Sequence, residues 1–431
     1  MIELIWYGIA LFQVHINPRI PPKWQRKLAE RRVIRQIQRA YKDVPYYRKR
    51  YDEAGVDISS IRHIEDLKKL PCITKEEVRQ NFPEGMLADG VDIDRCHYSA
   101  TAGSTGKPLS FIFSKATFAF YILTSVRVYT MIGYRPWHKM CYIKYTAVDA
   151  APHLNMGPFF RQSHISSNIP VEEQIARLRE EKPDLLIGYS SSISEIARYI
   201  TPEDRKHFRP KFISVNSGMS TQEERKYISS VFDCPVYDEY STEETWMISS
   251  QCHHNNYHLF TDNVWVEFLD EEGNDVTSDK TGEIVLTTMR SPAMPFIRYR
   301  IGDLGRPSDR TCPCGRSFPL MESLEGRSND SFILPSGRFI SPSKIHTVFY
   351  PFIKKYPNTI EQFKVIQKEK GLIVIQLVKG KEYSEDRFKE VIDRLHEIFD
   401  EPVTITVEMV EEIPKKYIKR KAIESWVEKS R

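Results

Sequence analysis

The sequence predicts an α/β protein with a large layered N-terminal domain of sheets and helices and a small, mobile α+β C-terminal domain. Residues 211–215 and 265–269 are short runs rich in β-branched and aromatic side chains, which is typical of strands. Between them, residues 171–181 carry apolar side chains at helical spacing and end before Pro183. Alternation of such segments favours a layered α/β body.

The C-terminal part of the chain has a different pattern. Residues 363–366 and 373–377 flank the turn sequence Lys368-Glu369-Lys370-Gly371, which predicts a β-hairpin. Apolar residues then recur at helical spacing from Phe388 to Phe399, and residues 403–407 alternate like a strand. At 431 residues the chain is longer than one average domain. We therefore predict an N-terminal domain over residues 1–327 and a C-terminal cap over residues 328–431.

Composition and charge restrict the class of protein. Hydrophobic residues make up 41% of the chain and charged residues 28%, as in an ordinary soluble globular protein. The net charge of +4 is small beside 62 basic and 58 acidic side chains, so nothing indicates a nucleic-acid partner. Seven cysteines without a signal peptide indicate a reducing compartment, and we predict a cytoplasmic location.

The N-terminal region is apolar and then basic. Residues 1–16 contain few polar side chains and are too short to span a bilayer. We predict no transmembrane segment here but a helix packed on the body, with peripheral contact to a membrane surface as the alternative. Residues 24–50 are basic with helical spacing and predict a surface helix that leads into a turn at Val44-Pro45-Tyr46-Tyr47.

Residues 101–108 form a candidate phosphate-binding loop. Gly103 and Gly106 permit positive φ and expose backbone N–H groups, and Lys107 adds a positive charge. The hydroxyls of Thr101, Ser104 and Thr105 are further donors. The loop is not a Walker motif, because Pro108 stands where that motif has Ser or Thr. The structural alternative is a glycine-rich hairpin turn.

This loop resembles that of the adenylate-forming superfamily of acyl-CoA synthetases and adenylation domains, which reads Thr-Ser-Gly-Ser/Thr-Thr-Gly-x-Pro. Ala102 departs from it. Tyr240-Ser241-Thr242-Glu243-Glu244 is similar to the family's Tyr-Gly-x-Thr-Glu, although Ser241 and Glu243 differ. The resemblance implies that Tyr240 stacks on adenine and that Glu244 helps to hold Mg²⁺, with Glu243 as the fallback if the loop is one residue shorter. An acidic helix start is the structural alternative.

Three further segments match the family in order. Arg298-Tyr299-Arg300-Ile301-Gly302-Asp303 implies that Asp303 accepts hydrogen bonds from the ribose hydroxyls. Gly326-Arg327-Ser328-Asn329-Asp330 resembles the hinge, in which Arg327 approaches ribose and phosphate; Asn329 is a departure. Ser217 and Gly218 stand where the family lines adenine.

The basic segment Pro414-Lys415-Lys416-Tyr417-Ile418-Lys419-Arg420-Lys421 lies where the family carries its catalytic lysine. Counting from the proline indicates Lys419, although Ile418 replaces the usual glycine, and Lys421 and Lys416 are the fallbacks. Its ammonium would stabilise charge that develops between the carboxylate and the α-phosphate. A solvated basic tail is the structural alternative.

Four residues are candidate zinc ligands. Cys312 and Cys314 form a compact turn, and Cys252 and His258 lie upstream in one short segment. Together they make a Cys₃His set, which structural zinc prefers. Buried or incidental cysteines are the alternative. This combination resembles the phenylacetate-CoA ligase and CapK-like branch of the superfamily.

The resemblance implies an ATP-dependent, AMP-forming ligase that activates a carboxylic acid, with an aryl acid as one candidate, and transfers it to coenzyme A. The implied cofactors are ATP, Mg²⁺, coenzyme A and structural Zn²⁺. Transfer to an amine and a non-catalytic nucleotide-binding homologue are the alternatives, and self-association as a homodimer is left open. An aromatic stretch is a candidate aryl-acid pocket, with ordinary core packing as its alternative: Tyr142, Tyr145, His153, Phe159 and Phe160.

We expect Lys419→Ala to slow acyl-adenylate formation by about 10²–10³-fold, because a positioned charge is lost from the reacting centre. Acid-dependent release of pyrophosphate measures this step. Lys416→Ala and Lys421→Ala are the comparison variants. Full activity in Lys419→Ala together with loss in one of the others would move the assignment to that lysine.

Overall fold

The computed structural model describes residues 2–100, 109–145, 157–414 and 421–428, with the backbone alone described for residues 2–7. The helices of this part of the chain are α1 (Ile2–Ile16), α2 (Pro22–Asp43), α3 (Pro45–Glu53), α4 (Lys75–Asn81), α5 (Lys115–Met131), α6 (Val171–Glu181), α7 (Ser190–Tyr199), α8 (Asp204–His207), α9 (Gln222–Phe232), α10 (Pro342–Lys355) and α11 (Glu385–Phe399). Its strands are β1 (His97–Ala100), β2 (Ser110–Phe113), β3 (Met140–Lys144), β4 (Gln162–Ser166), β5 (Leu185–Tyr189), β6 (Phe212–Asn216), β7 (Val236–Thr242), β8 (Trp246–Gln251), β9 (Tyr257–Leu259), β10 (Val264–Leu269), β11 (Gly282–Thr288), β12 (Tyr299–Ser308), β13 (Leu320–Arg327), β14 (Phe332–Ile333), β15 (Phe339–Ile340), β16 (Ile360–Glu369), β17 (Leu372–Lys379), β18 (Thr404–Met409) and β19 (Ile423–Ser425).

The chain forms two compact units. The first contains Met1–Gly133 and Glu239–Ser323, and the second contains Tyr134–Asp238 and Leu324–Arg431. The mixed α/β class with a smaller C-terminal domain confirms the predicted fold class. The domain limits at residues 327 and 328 stay a prediction, because the second unit groups the C-terminal segment with residues 134–238.

The first unit is built on antiparallel strands in the order β10-β11-β12-β13-β9-β8-β7. Helices α2 and α3 supply much of its core, since Ala29, Val33, Ile37 and Tyr47 are fully buried. Helix α1 packs against α5, as the sequence predicted. The described residues include no helix long and apolar enough to cross a membrane.

The predicted turn at Val44-Pro45-Tyr46-Tyr47 is wrong. Pro45 is the first residue of α3. Val44 alone separates α2 from α3, and its extended backbone changes the direction of the chain between the two helices. Proline at the first helical position loses no hydrogen bond, because that N–H has no intrahelical partner in any helix. Tyr46, Tyr47 and Tyr51 then lie on the buried face of α3.

The second unit contains a parallel sheet and a smaller mixed sheet. The parallel strands follow the order β4-β3-β5-β6-β7, and α6, α7 and α9 are their connecting helices. The smaller sheet has the order β18-β17-β16-β19, in which β16 and β17 form the predicted antiparallel hairpin. Helix α6 and strand β6 confirm the predictions over residues 171–181 and 211–215.

A buried carboxylate joins distant parts of the first unit. Asp262 accepts hydrogen bonds from the guanidinium of Arg127 at 2.8 and 3.1 Å and from the side-chain amide of Asn17 at 2.6 Å. Its backbone carbonyl accepts from Nε of Arg290 at 2.8 Å. Burial opposes ionisation, but the charges of Arg127 and Arg290 and the hydrogen bonds from Arg127 and Asn17 together outweigh it and hold the pKa of Asp262 below its usual value.

Candidate functional site

Two reciprocal hydrogen bonds link the two best-matched motifs. The phenol of Tyr240 donates to Asp303 at 2.9 Å, and the phenol of Tyr299 donates to Glu244 at 3.1 Å. Each motif therefore contributes one tyrosine and one carboxylate, and each tyrosine holds the carboxylate of the other motif. Tyr240, Glu244 and Tyr299 are buried, so these bonds form away from bulk water. The structure thus brings together two residues predicted for the nucleotide and one predicted for magnesium.

A bulge in β12 presents the Asp303 side chain. Arg300 pairs with Val285 and Leu304 with Glu283, so three residues of β12 lie opposite one residue of β11. Gly302, at the centre of this insertion, has φ of +79°, a conformation that glycine adopts without steric cost. Bulges redirect side chains next to functional sites. The glycine before Asp303 therefore has a structural role in aiming the carboxylate.

Lys75 is a neighbour of Glu244 that the sequence reasoning missed. Its Nζ lies 3.7 Å from Glu244 Oε1. A backbone bridge between Ile73 and Tyr299 brings the start of α4 to this place, and Thr74 with Glu77 caps that helix. The Thr-x-x-Glu capping box is visible in the sequence. The contact with Glu244 is not, because it depends on a bridge between segments far apart in the chain.

In the second unit, the predicted adenine-lining segment lies at the carboxyl end of β6. Ser217 has φ of +59°, an unusual conformation for a residue with a Cβ atom and one that is concentrated at functional sites. Met219 packs against Gly326, whose φ is +96°. The loop after β6 therefore contacts Gly326. The next residue, Arg327, ends β13 and is exposed.

Several predicted site residues lie outside the described residues. They are Thr101, Gly103, Ser104, Thr105, Gly106, Lys107, His153 and Lys419. The strands on either side of the phosphate loop are described: β1 and β2 pair antiparallel, with Ala100 opposite Ser110. Lys421, a fallback for Lys419, lies 2.5 Å from Asp330 in an ion pair.

The four candidate zinc ligands converge in the first unit. Their donor atoms all lie within 4.8 Å of one another. The sulfurs of Cys252 and Cys312 are 3.5 Å apart, and Cys314 Sγ is 3.3 Å from His258 Nε2. Tetrahedral zinc with bonds of about 2.3 Å would separate its sulfur ligands by about 3.8 Å. The donor set and its spacing therefore fit a structural zinc ion.

Strand pairing explains this convergence. His258 in β9 pairs with Ser250 in β8 on one side and with Leu320 in β13 on the other. The turn after β8 carries Cys252, and the loop before β13 carries the two other cysteines. Strand β9, with His258, thus lies between the strand that leads to Cys252 and the strand that is preceded by Cys312 and Cys314.

The local environment sets the charge of these donors. Burial lowers the pKa of His258 to about 4, which keeps the imidazole neutral as a metal ligand requires. Burial also raises the pKa of Cys252. For Cys312, burial is outweighed by hydrogen bonds from the Cys314 backbone and the Asn256 side chain, so its pKa falls below the usual value.

The residues of the aromatic stretch differ in their contacts and in their exposure. The phenol of Tyr142 accepts a hydrogen bond from Asn216 at 2.7 Å, at the end of β6. Tyr145 and Phe159 are exposed, with 42% and 48% of their surface accessible. Phe160 is half-buried. The aryl-acid pocket stays a prediction.

Comparison with known proteins finds relatives of this chain. The model of the CapK C-terminal domain matches residues 332–421. The chain is 25% identical over 389 residues to a phenylacetate-coenzyme A ligase of Thermus thermophilus, covering 86% of this chain and 84% of the relative. It is also 22% identical over 329 residues to the protein CapK of Staphylococcus aureus, covering 73% and 70%.

The chain is thus similar over most of its length to phenylacetate-coenzyme A ligases and to CapK, and its C-terminal part matches the CapK C-terminal domain. A crystal structure of 2-hydroxyisobutyryl-CoA ligase in complex with an acyl-AMP matches with a TM-score of 0.80 at 19% identity, over 94% of this chain and 90% of that one. At this identity the match shows the fold alone.

Asp303 is predicted to accept two ribose hydrogen bonds, and each bond to a charged acceptor contributes about 1.5 kcal/mol, so we expect Asp303→Asn to weaken ATP binding roughly 100-fold. Tyr240→Phe leaves the carboxylate in place but less fixed, so its loss should be about tenfold or less. Titration calorimetry with ATP and with 2′,3′-dideoxy-ATP measures both variants.

Asp309→Asn, an exposed carboxylate just beyond β12, is the matched control and should bind like the wild type. The Asp303→Asn variant should no longer distinguish the two nucleotides. If this variant prefers ATP over 2′,3′-dideoxy-ATP as strongly as the wild type does, Asp303 does not bind the ribose hydroxyls.

Proposed function

We propose that the protein is an ATP-dependent, AMP-forming acid–thiol ligase that activates a carboxylic acid and transfers the acyl group to coenzyme A. The observation that carries this proposal is the reciprocal pair of hydrogen bonds, Tyr240 to Asp303 and Tyr299 to Glu244. It holds two carboxylates with different tasks on one nucleotide in a fixed relation. The similarity to phenylacetate-coenzyme A ligases supports the acid and thiol substrates.

The first step forms an acyl-adenylate. A carboxylate oxygen of the acid attacks the α-phosphorus of ATP, and pyrophosphate leaves. Asp303 accepts from the ribose hydroxyls, and Tyr240 positions both that carboxylate and the adenine. Ser217, Gly218, Arg327 and the loop residues from Thr101 to Lys107 are assigned to the nucleotide by resemblance, and Lys419 to the reacting phosphate.

The buried Glu244 carboxylate fits a Mg²⁺ ion, which takes oxygen ligands from one or two carboxylates and the substrate phosphates. When bound, the ion would neutralise charge on the phosphates. The positive charge of Lys75 compensates the negative charge of the Glu244 carboxylate, and the hydrogen bond from Tyr299 fixes the orientation of that carboxylate.

In the second step the sulfur of coenzyme A attacks the acyl carbon, the thiol proton is lost, and AMP leaves as the carbon–oxygen bond breaks. We place the reaction in the cytoplasm, which seven cysteines without a disulfide between them support. An aryl acid is the substrate class that the similarity to phenylacetate-coenzyme A ligases favours.

We expect pyrophosphate release to require an acid and to rise when coenzyme A discharges the adenylate. The measurement is pyrophosphate release with phenylacetate, benzoate and short aliphatic acids, each with and without coenzyme A. Release that coenzyme A cannot discharge, but hydroxylamine or an amine can, would favour amide formation. The absence of release with every acid, in protein that binds ATP, would leave a non-catalytic nucleotide-binding protein.

The four-residue cluster is proposed as a structural zinc site, because four protein ligands leave no coordination position for substrate. We expect purified protein to hold about one zinc ion per chain and Cys314→Ser to hold far less, with a lower melting temperature. Metal analysis and thermal melting measure the two effects. Cys96→Ser, at a half-buried thiol outside the cluster, is the control. Equal zinc content in both variants would contradict the site.

A further inference from the structure

Helix α1 leaves an apolar face uncovered. Ala10 and Val14 are buried, on the side that packs against α5. Ile9, Phe12 and Ile16 recur at helical spacing on another side and are exposed, and 66% of the Phe12 surface is accessible. Isolated exposed apolar residues are common on proteins, but several large ones on one helix face indicate an interaction surface.

Helix α2 begins at Pro22, soon after α1 ends at Ile16, and is strongly basic. It contains eight basic and two acidic side chains, a net charge of +6 against +4 for the whole chain, so the rest of the chain is net negative. The start of α2 is fixed to the end of α1, because the side chain of Gln25 donates to the Asn17 carbonyl at 3.2 Å. Arg19 also donates to the His15 carbonyl at 2.7 Å.

The first turns of α2 add an exposed tryptophan between two lysines. Trp24 has 59% of its surface accessible, and Nζ of Lys27 lies 5.6 Å from the centre of its ring. Lys23 is exposed as well. Tryptophan is enriched where membranes meet water, and basic side chains attract anionic headgroups.

We propose that these residues form a peripheral membrane-binding surface for an anionic lipid bilayer. The amphipathic N-terminal surface consists of Ile9, Phe12 and Ile16 of α1 and Lys23, Trp24 and Lys27 of α2. With 15 residues and a length of about 22 Å, α1 is shorter than the hydrocarbon core of a bilayer. It lies in the plane of the membrane, inserts its exposed apolar face below the headgroups, and places the lysines against them.

The combination of side chains favours a bilayer over a second copy of the chain. A second copy would bring another strongly basic α2 to the same place, and like charges repel. An anionic bilayer offers both an apolar layer for Phe12 and opposite charge for the lysines, in one continuous partner.

The test is sedimentation of the full chain with vesicles of phosphatidylcholine alone and with vesicles containing 30% phosphatidylglycerol. We expect binding to the anionic vesicles that weakens as salt is raised above about 0.1 M. The double variant Lys23→Glu, Lys27→Glu should lose at least about 25-fold in affinity, since each basic residue near the surface contributes about fivefold. Phe12→Glu should bind more weakly on the same vesicles.

Matched controls lie elsewhere on the chain. Phe339→Glu changes another exposed phenylalanine, and the pair Lys381→Glu, Lys389→Glu changes two other exposed lysines by the same charge. These variants should bind the anionic vesicles like the wild type, and all variants should retain the wild-type melting temperature and ATP affinity.

Three outcomes would overturn the proposal. The first is no binding to either kind of vesicle, and the second is equal binding to neutral and anionic vesicles. The third is a loss of vesicle affinity in the control variants as large as that in the variants of the N-terminal surface. A dimer in vesicle-free solution that Phe12→Glu dissociates would assign the apolar face to a second copy instead.

Discussion

The architecture of the first unit depends on the buried carboxylate of Asp262. In the described part of the chain, the Asp262 carboxylate interacts with Arg127, Arg290 and Arg32, and burial and the neighbouring positive charges lower the pKa of Arg290 to about 10. Breaking one side of such a buried pair leaves an uncompensated charge and costs about 3–5 kcal/mol. The contacts from Asn17 and from α5 therefore form together. They fix the N-terminal segment and the start of β10, the strand whose sheet carries the nucleotide motifs.

Within the first unit, the phenols of Tyr240 and Tyr299 hold the candidate site together. Each of the two carboxylates receives a hydrogen bond from a tyrosine of the other motif, so neither motif can shift without disturbing its partner. A hydrogen bond to a charged acceptor contributes about 1.5–3 kcal/mol. Arg298, which precedes Tyr299, is anchored in turn by Glu267 and by the Leu70 carbonyl. The site is rigid on this side before any ligand arrives, which reduces the ordering cost of binding.

Local sequence patterns predicted the elements that depend on neighbours in the chain. Helix α6 and the hairpin of β16 and β17 follow from periodicity and turn residues, and the proposed zinc ligands follow from residue type. Contacts between distant segments were not predictable in this way: Lys75 reaches Glu244 only through the bridge of Ile73, and β19 exists only because β16 offers an edge. The turn predicted at Pro45 is wrong because proline starts helices as well as ending them.

The bulge in β12 has a consequence for how such a site can arise by insertion. It adds two residues to the strand, an even number, so side chains before and after it keep the same alternation between the two faces of the sheet. A one-residue shift in register without a bulge would exchange the faces for the remainder of the strand and expose its buried side chains. The two extra residues leave the sheet in phase on both sides of the bulge, while Gly302 and Asp303 lie within it. The even number thus lets β12 present the Asp303 carboxylate, which is predicted to bind the nucleotide, without repacking the core.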